Sequence, residues 1–253
     1  MFYRFTKSGL RIPVDLDDIY SGSCFLAGGS PALLKENLSL LSQPGIMTMS
    51  MNNTASIVPS SLWVGGDKPL CYSPKILLDP RLLHFAIISR RDFEVGGTPW
   101  KHCPNTYFFG TNDNFTLGDL LKPHRDFVWW KNTFYIALQI LYRLGFRKIY
   151  LIGCEFNIEK DHQYAYGAKL GEEEVTWNKR TYNAVVANMK HLKPHFEECG
   201  IEIISATPNS KLNDIYKVMS FDDAVKDVLE NFPKEYNIKD CPHSSFFGKN
   251  KKE

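Results

Sequence analysis

The stretch CFLAGGSPALLK, residues 24–35, changes character within a few positions. An apolar run ends on two glycines, and Ser30-Pro31 then opens a helical pattern. A buried strand that stops on glycine and turns at once into a helix is the repeating unit of doubly wound α/β sheets. Glycine relieves the tight turn, Pro31 suits a first helical position, and a backbone without Cβ atoms lets a phosphate approach closely. The turn alone also accounts for the same glycines. The loop lacks the Gly-Lys-Ser/Thr of a Walker loop and is not GxGxxG, which removes sequence support for ATP hydrolysis and NAD use.

Further apolar runs of strand length lie at 46–51, 62–66, 84–89, 148–153 and 201–205. They lack polar alternation, as strands covered on both faces should. Helical patterns separate or follow them: PALLKENLSLL, NTFYIALQILYRLG, TYNAVVANMKHLKPHFEECG and SFDDAVKDVLENF. Asn132 or Thr133 can cap the second, and Gly145 and Gly200 close the second and third. The pattern predicts an α/β fold: one Rossmann-like domain over residues 1–233, with a mainly parallel sheet and helices on both faces. Residues 90–131, rich in Gly, Pro, Asn and aromatics, read as an insertion or subdomain, and 234–253 as a polar tail.

The 253 residues carry 43% hydrophobic and 23% charged positions and a net charge of +2, the profile of an ordinary globular protein with no global basic excess for nucleic acid. Six cysteines without a CxxC pair or metal spacing read as reduced thiols, and no run approaches a membrane span or signal peptide, so a cytoplasmic location is expected.

Ligands of such sheets bind at the carboxyl ends of the strands. Gly28, Gly29 and Ser30 stand at one such end, Asn52 and Asn53 at another, Asp67 at a third, and Gly153, Glu155 and Asn157 at a fourth. Each is also a turn former or an ordinary structural residue. Asp67 is a candidate base or metal ligand, and His162, beside Tyr164 and Tyr166 in DHQYAYG, a candidate acid or base. His191 and His195 share a helix phase, but Pro194 intervenes and no third ligand is evident. Trp129 and Trp130 offer rings for a base or sugar, though a core role explains them as well.

Taken in order, these segments resemble the bacterial lipooligosaccharide sialyltransferases and, more distantly, the 6-hydroxymethylpterin diphosphokinase-like proteins. LAGGSPALLKEN is similar to the glycine-rich opening of the former, and MSMNN to their second strand, which places Asn52 on a nucleotide-contacting asparagine. In KNTFYIALQILYRLGFRKIYLIGCEFN, Thr133 falls on the Ser of their Thr-Ser-Gly turn, and Gly153, Glu155 and Phe156 on their Gly-x-Asp-Phe. YAYGAK puts Tyr164 at a phosphate-contacting tyrosine. The resemblance implies a histidine base on a lid, yet LGEEEVTWNKR has none, and Trp130 replaces an arginine. IVPSSLWVGGDKP resembles the diphosphokinase-like pattern in which the aspartate, here Asp67, serves metal and phosphate.

The expectation is a glycosyltransferase that moves a sugar from a nucleotide-sugar donor to a glycan, a small alcohol or a hydroxylated nucleobase. Donor contacts are expected from Gly28, Gly29, Ser30, Asn52, Asn132, Thr133, Gly153, Glu155, Phe156, Asn157 and Tyr164, with Asp67 or His162 as base. Magnesium on Asp67 is compatible with the sequence but not required by it, and a homo-oligomer is equally compatible. The alternatives are a diphosphokinase-like transferase using ATP and magnesium, and a nucleotide- or glycan-binding protein without catalysis.

Overall fold

Neighbouring residues along each apolar run point into different hydrophobic layers, which is why the runs carry no polar alternation. In the computed structural model, which describes residues 1–159 and 163–231, Cys24 and Leu26 of the first run enter one buried cluster and Phe25 and Ala27 another.

A ten-stranded sheet contains β1 Phe2–Phe5, β2 Arg11–Val14, β3 Ser23–Ala27, β4 Thr48–Met51, β5 Leu62–Gly65 and β6 Leu83–Ile87. After two short strands, β7 Glu94–Val95 and β8 Thr98–Pro99, which pair only with each other, the sheet regains the chain at β9 Thr106–Phe109. A second small pair, β10 Thr111–Asn112 and β11 Phe127–Val128, precedes β12 Lys148–Ile152, β13 Glu202–Ser205 and β14 Lys217–Val218. The order is β14-β13-β12-β3-β4-β5-β6-β9-β1-β2. All pairings from β14 to β9 are parallel, and the β1–β2 hairpin adds antiparallel beside β9. The expected α/β, Rossmann-like architecture is therefore present. From β3 the chain winds outward through β4, β5, β6 and β9, then returns to β12 on the other flank of β3. The β3–β12 junction is the point where the winding reverses.

Helices α2 Thr133–Arg143 and α3 Glu172–Glu198 contribute buried residues to the cluster on one sheet face. Short α1 Pro74–Leu77 and α4 Phe221–Glu230 cover the other. Thr133 to Leu141 of α2 are all buried. Its N-cap is Asn132, whose side chain accepts from the Phe134 N–H at 2.9 Å. It is followed by Gly145 at φ +106°, where a Cβ would lie 2.0 Å from the Tyr20 carbonyl oxygen.

Two helical expectations need correction. PALLKENLSLL forms two 3-10 turns, Pro31–Lys35 and Leu38–Ser42, because Glu36 and Gln43 are extended at their ends and the short connection must deliver both Leu33 and Leu41 to one core cluster. The helix read from 181 begins at Glu172: three glutamates in its first turn complement the helix dipole, and these exposed turns show no apolar period. Thr106–Phe109, within the aromatic segment, is a fully buried strand of the main sheet. Residues 234–253 lie outside the described residues.

Candidate functional site

The carboxyl ends of β3 and β12 meet at the winding reversal, and the glycines there serve the meeting itself. The Gly28 N–H donates to the Ile152 carbonyl at 2.8 Å and the Ser30 N–H to the Gly153 carbonyl at 3.0 Å. A Cβ on Gly28 would stand 2.4 Å from the Gly153 oxygen, and Gly153 itself holds φ +59°. Gly29 has a different neighbour: its Cβ position lies 2.9 Å from Tyr166 Cε1 and 3.1 Å from Tyr164 Cδ1. The Gly28 and Ser30 amides, read from the sequence as facing a phosphate, thus donate across the β3–β12 junction. Over Gly29 the neighbours are the two tyrosine rings rather than backbone.

These residues form one wall of a crevice of about 240 Å³, also lined by Asn52, Asp67, Asn132, Thr133, Gly153, Glu155, Phe156, Asn157 and Tyr164. All the residues expected from the sequence to contact the donor therefore share one crevice, although they lie on five separate segments. A larger hollow of about 560 Å³ sits at the amino ends of β4, β5 and β6, where Asp79 and Arg81 pair with each other. We favour the smaller crevice because polar groups converge there at the strand ends that carry sites in this fold class.

Asn52 follows β4 in the left-handed region at φ +55°, its carbonyl accepting from Trp63 Nε1 at 2.7 Å. Its side-chain oxygen faces Tyr72 Oη at 3.4 Å and Thr133 Oγ1 at 3.5 Å. Tyr72 Oη also accepts from the Asp67 N–H at 2.7 Å, which leaves the exposed Asp67 carboxylate at the rim. Burial pushes the Tyr72 phenol up, and the Asp67 charge adds to the shift.

The N-terminus of α2 closes the opposite wall. Trp130 and Lys131 both stand in the left-handed region, at φ 40° and 51°, a conformation that costs about 1 kcal/mol each without glycine. Packing holds them there: Trp130 Nε1 donates to the Phe115 carbonyl at 3.0 Å and its ring meets Tyr135 edge-on at 5.2 Å. The Trp129 ring lies against Gly66, where a Cβ would come within 1.9 Å of it. Both tryptophans are thus engaged with protein, and the aromatic segment supplies Lys131 to the crevice. Of the seven described non-glycine residues with positive φ, Asn52, Lys131 and Phe156 line this crevice. Strain concentrated in that way marks functional sites more often than inert surface.

The third wall holds stacked Tyr164 and Tyr166, ring centroids 5.0 Å apart. Tyr164 Oη lies 3.3 Å from Tyr182 Oη and accepts from Asn178 Nδ2 at 3.4 Å. Phe156, at φ +53°, sits edge-on between Phe134 and Tyr182. Ser30 donates its hydroxyl to the Glu155 carboxylate, which ties the β3 and β12 loops together. Burial raises the phenols of Tyr164, Tyr166 and Tyr182, so all three remain protonated hydrogen-bond donors at neutral pH. The Asp67 charge also raises Tyr164, placing both in one field.

Lys131 is the single lysine or arginine among the described lining residues, set against the carboxylates of Asp67 and Glu155. Among the described residues, no group of three or more His, Cys, Asp or Glu side chains could hold a metal. His162 lies outside the described residues. His84 is fully buried with Nε2 2.7 Å from the Ile76 carbonyl oxygen, a structural role. The cysteines described are free thiols, and burial pushes Cys154 up to about 12. No helix among the described residues is long and apolar enough to cross a membrane. Sequence reasoning missed Lys131, Tyr166, Trp177, Asn178, Thr181 and Tyr182. The last four occupy positions i, i+1, i+4 and i+5 of α3, a spacing that could have exposed them had the helix start been recognised.

No family model matches the chain, and no curated protein matches it. Among solved structures it is similar to one described as the structure of MAf glycosyltransferase from Magnetospirillum magneticum AMB-1. The TM-score is 0.46 at 9% identity, covering 82% of this chain and 36% of that one. The chain thus spans about a third of that structure's length.

Proposed function

We propose that the crevice at the β3–β12 junction binds a nucleotide-sugar donor and that the protein transfers its sugar to a hydroxyl acceptor. The carrying observation is the charge and donor content of the crevice: one lysine, a helix N-terminus and several neutral phenol and amide donors, beside two carboxylates. A nucleoside mono- or diphosphate leaving group matches that supply. The Thr133 N–H at the first helical position, the Thr133 hydroxyl, Tyr164 and Lys131 would stabilise the negative charge as the glycosidic bond breaks. The diphosphokinase reading has no Walker loop to support it.

Proton removal from the acceptor falls to Asp67 or His162. Asp67 stands at the rim with its carboxylate exposed, beside the tyrosines that would hold the phosphate. Were magnesium to take part, Asp67 would hold it and the donor's phosphates would supply the remaining ligands, in keeping with magnesium's use of one or two carboxylates. The test is turnover: release of free nucleotide from a sugar nucleotide in the presence of an acceptor, with AMP from ATP as the mark of the diphosphokinase alternative.

A further inference from the structure

A second hollow opens beside the crevice, of about 440 Å³, lined by Leu170, Glu173, Glu174, Trp177 and Asn178. Trp177 and Asn178 line both spaces. Helix geometry explains the continuity: Glu173 and Trp177, Glu174 and Asn178, Trp177 and Thr181, and Asn178 and Tyr182 are each four residues apart on α3, so one stripe of the helix runs from the hollow into the crevice. Trp177 is 65% exposed, whereas Trp63 and Trp100 are fully buried and Trp129 and Trp130 pack on protein. Trp177 thus presents a large exposed ring on α3 where the two cavities meet.

We infer that Trp177 is the platform of an acceptor subsite and that the acceptor it takes is a neutral sugar ring. The inference rests on the glycosyl-transfer reading of the adjoining crevice. A pyranose presents a face of C–H groups to stack on an indole and a rim of hydroxyls to hydrogen-bond sideways. The hollow offers that combination: the Trp177 ring, the Asn178 amide, and the carboxylates of Glu173 and Glu174 as acceptors for hydroxyls. Glu174 already accepts the Gly171 N–H at 2.8 Å, which fixes it in place. No lysine or arginine is among the hollow's described lining residues, so a phosphorylated or carboxylated acceptor would meet the like charges of Glu173 and Glu174. Position agrees with chemistry, because a ring on Trp177 lies beside the space that the donor would fill.

The test is titration calorimetry of the full chain with neutral methyl glycosides of glucose, galactose and mannose, with methyl glucuronide, and with tetramethylammonium as a cationic probe of the same ring. At least one neutral glycoside should bind. Trp177→Ala should weaken it by about tenfold or more, Trp177→Phe should keep most of the affinity, and the glucuronide should bind about tenfold more weakly than the glucoside if glucose is accepted. Thermal unfolding of each variant separates lost contacts from lost fold. Binding of no neutral glycoside, equal binding by Trp177→Ala, or binding of tetramethylammonium alone would overturn the assignment. Nucleoside mono- and diphosphates titrated in parallel distinguish the failures: nucleotide binding without sugar binding refutes this subsite alone, and the loss of both refutes the functional reading beneath it.

Discussion

Gly29 and Gly153 both lack side chains for steric reasons, but substituting them should have opposite consequences. In Gly29→Ala the new Cβ would lie 2.9 Å from Tyr166 Cε1, 3.1 Å from Tyr164 Cδ1 and 3.4 Å from Thr54 Oγ1. Ordinary carbon contacts begin near 3.5 Å, so the ring pair must back away by roughly half an ångström or more. Both rings are partly exposed and Gly29 does not need a positive φ, so the chain can yield. Overpacking of about 1 kcal/mol is offset by the reduced freedom of the unfolded chain, which leaves stability nearly unchanged. The displaced Tyr164 should nevertheless lose its place against Tyr182 and Asn178, and donor affinity should fall about tenfold. Gly153→Ala meets Leu33 Cγ at 2.6 Å and the Gly28 carbonyl oxygen at 2.7 Å while forced to φ +59°. Left-handed strain and overpacking against backbone together cost about 2–4 kcal/mol, a drop of roughly 5–15 °C in Tm. Thermal unfolding and calorimetric titration of both variants decide the matter. If Gly29→Ala unfolds early and Gly153→Ala does not, or if Gly29→Ala binds donor as the wild type does, the packing account of this junction is wrong.

Two further outcomes are expected. Asp227 accepts from Lys148 and Tyr150, which hold its carboxyl below the usual 3.8; its stabilising contribution is therefore complete above about pH 5 and is lost as pH falls through the lower folded-state value. Asp227→Ala should cost about 2 kcal/mol at pH 7 and clearly less at pH 3 in urea titrations, and an equal cost at both would remove the ion pair from the explanation. Asp67→Asn or His162→Gln should lower turnover about a hundredfold, according to which is the base, with donor affinity retained unless Asp67 also holds a metal; near-normal turnover in both would misplace the chemistry.

The parallel core was legible because strands buried on both faces carry apolar runs with no competing period, and each of the six runs is a strand. The β1–β2 hairpin was not, since FYRF and RIPV mix charges and a proline on an edge strand, where such residues protect against unwanted pairing. Asn52, Thr133, Glu155 and Tyr164 were legible as site candidates because strand ends of one parallel sheet gather on one side. The α3 face was hidden, because its first turns hold their helix through capping and acidic residues rather than an apolar stripe. At the glycine turn the sequence could not show the neighbours: a Cβ on Gly28 would meet the Gly153 carbonyl, and one on Gly29 two tyrosine rings.

The most direct measurement is product analysis after incubating the full chain with a panel of sugar nucleotides, and separately with ATP, in the presence of a neutral glycoside acceptor. The expected result is free nucleoside mono- or diphosphate from at least one sugar nucleotide, with the sugar recovered on the acceptor and no AMP from ATP. Formation of AMP with a diphosphorylated product, or intact donors throughout, would contradict glycosyl transfer at the β3–β12 crevice.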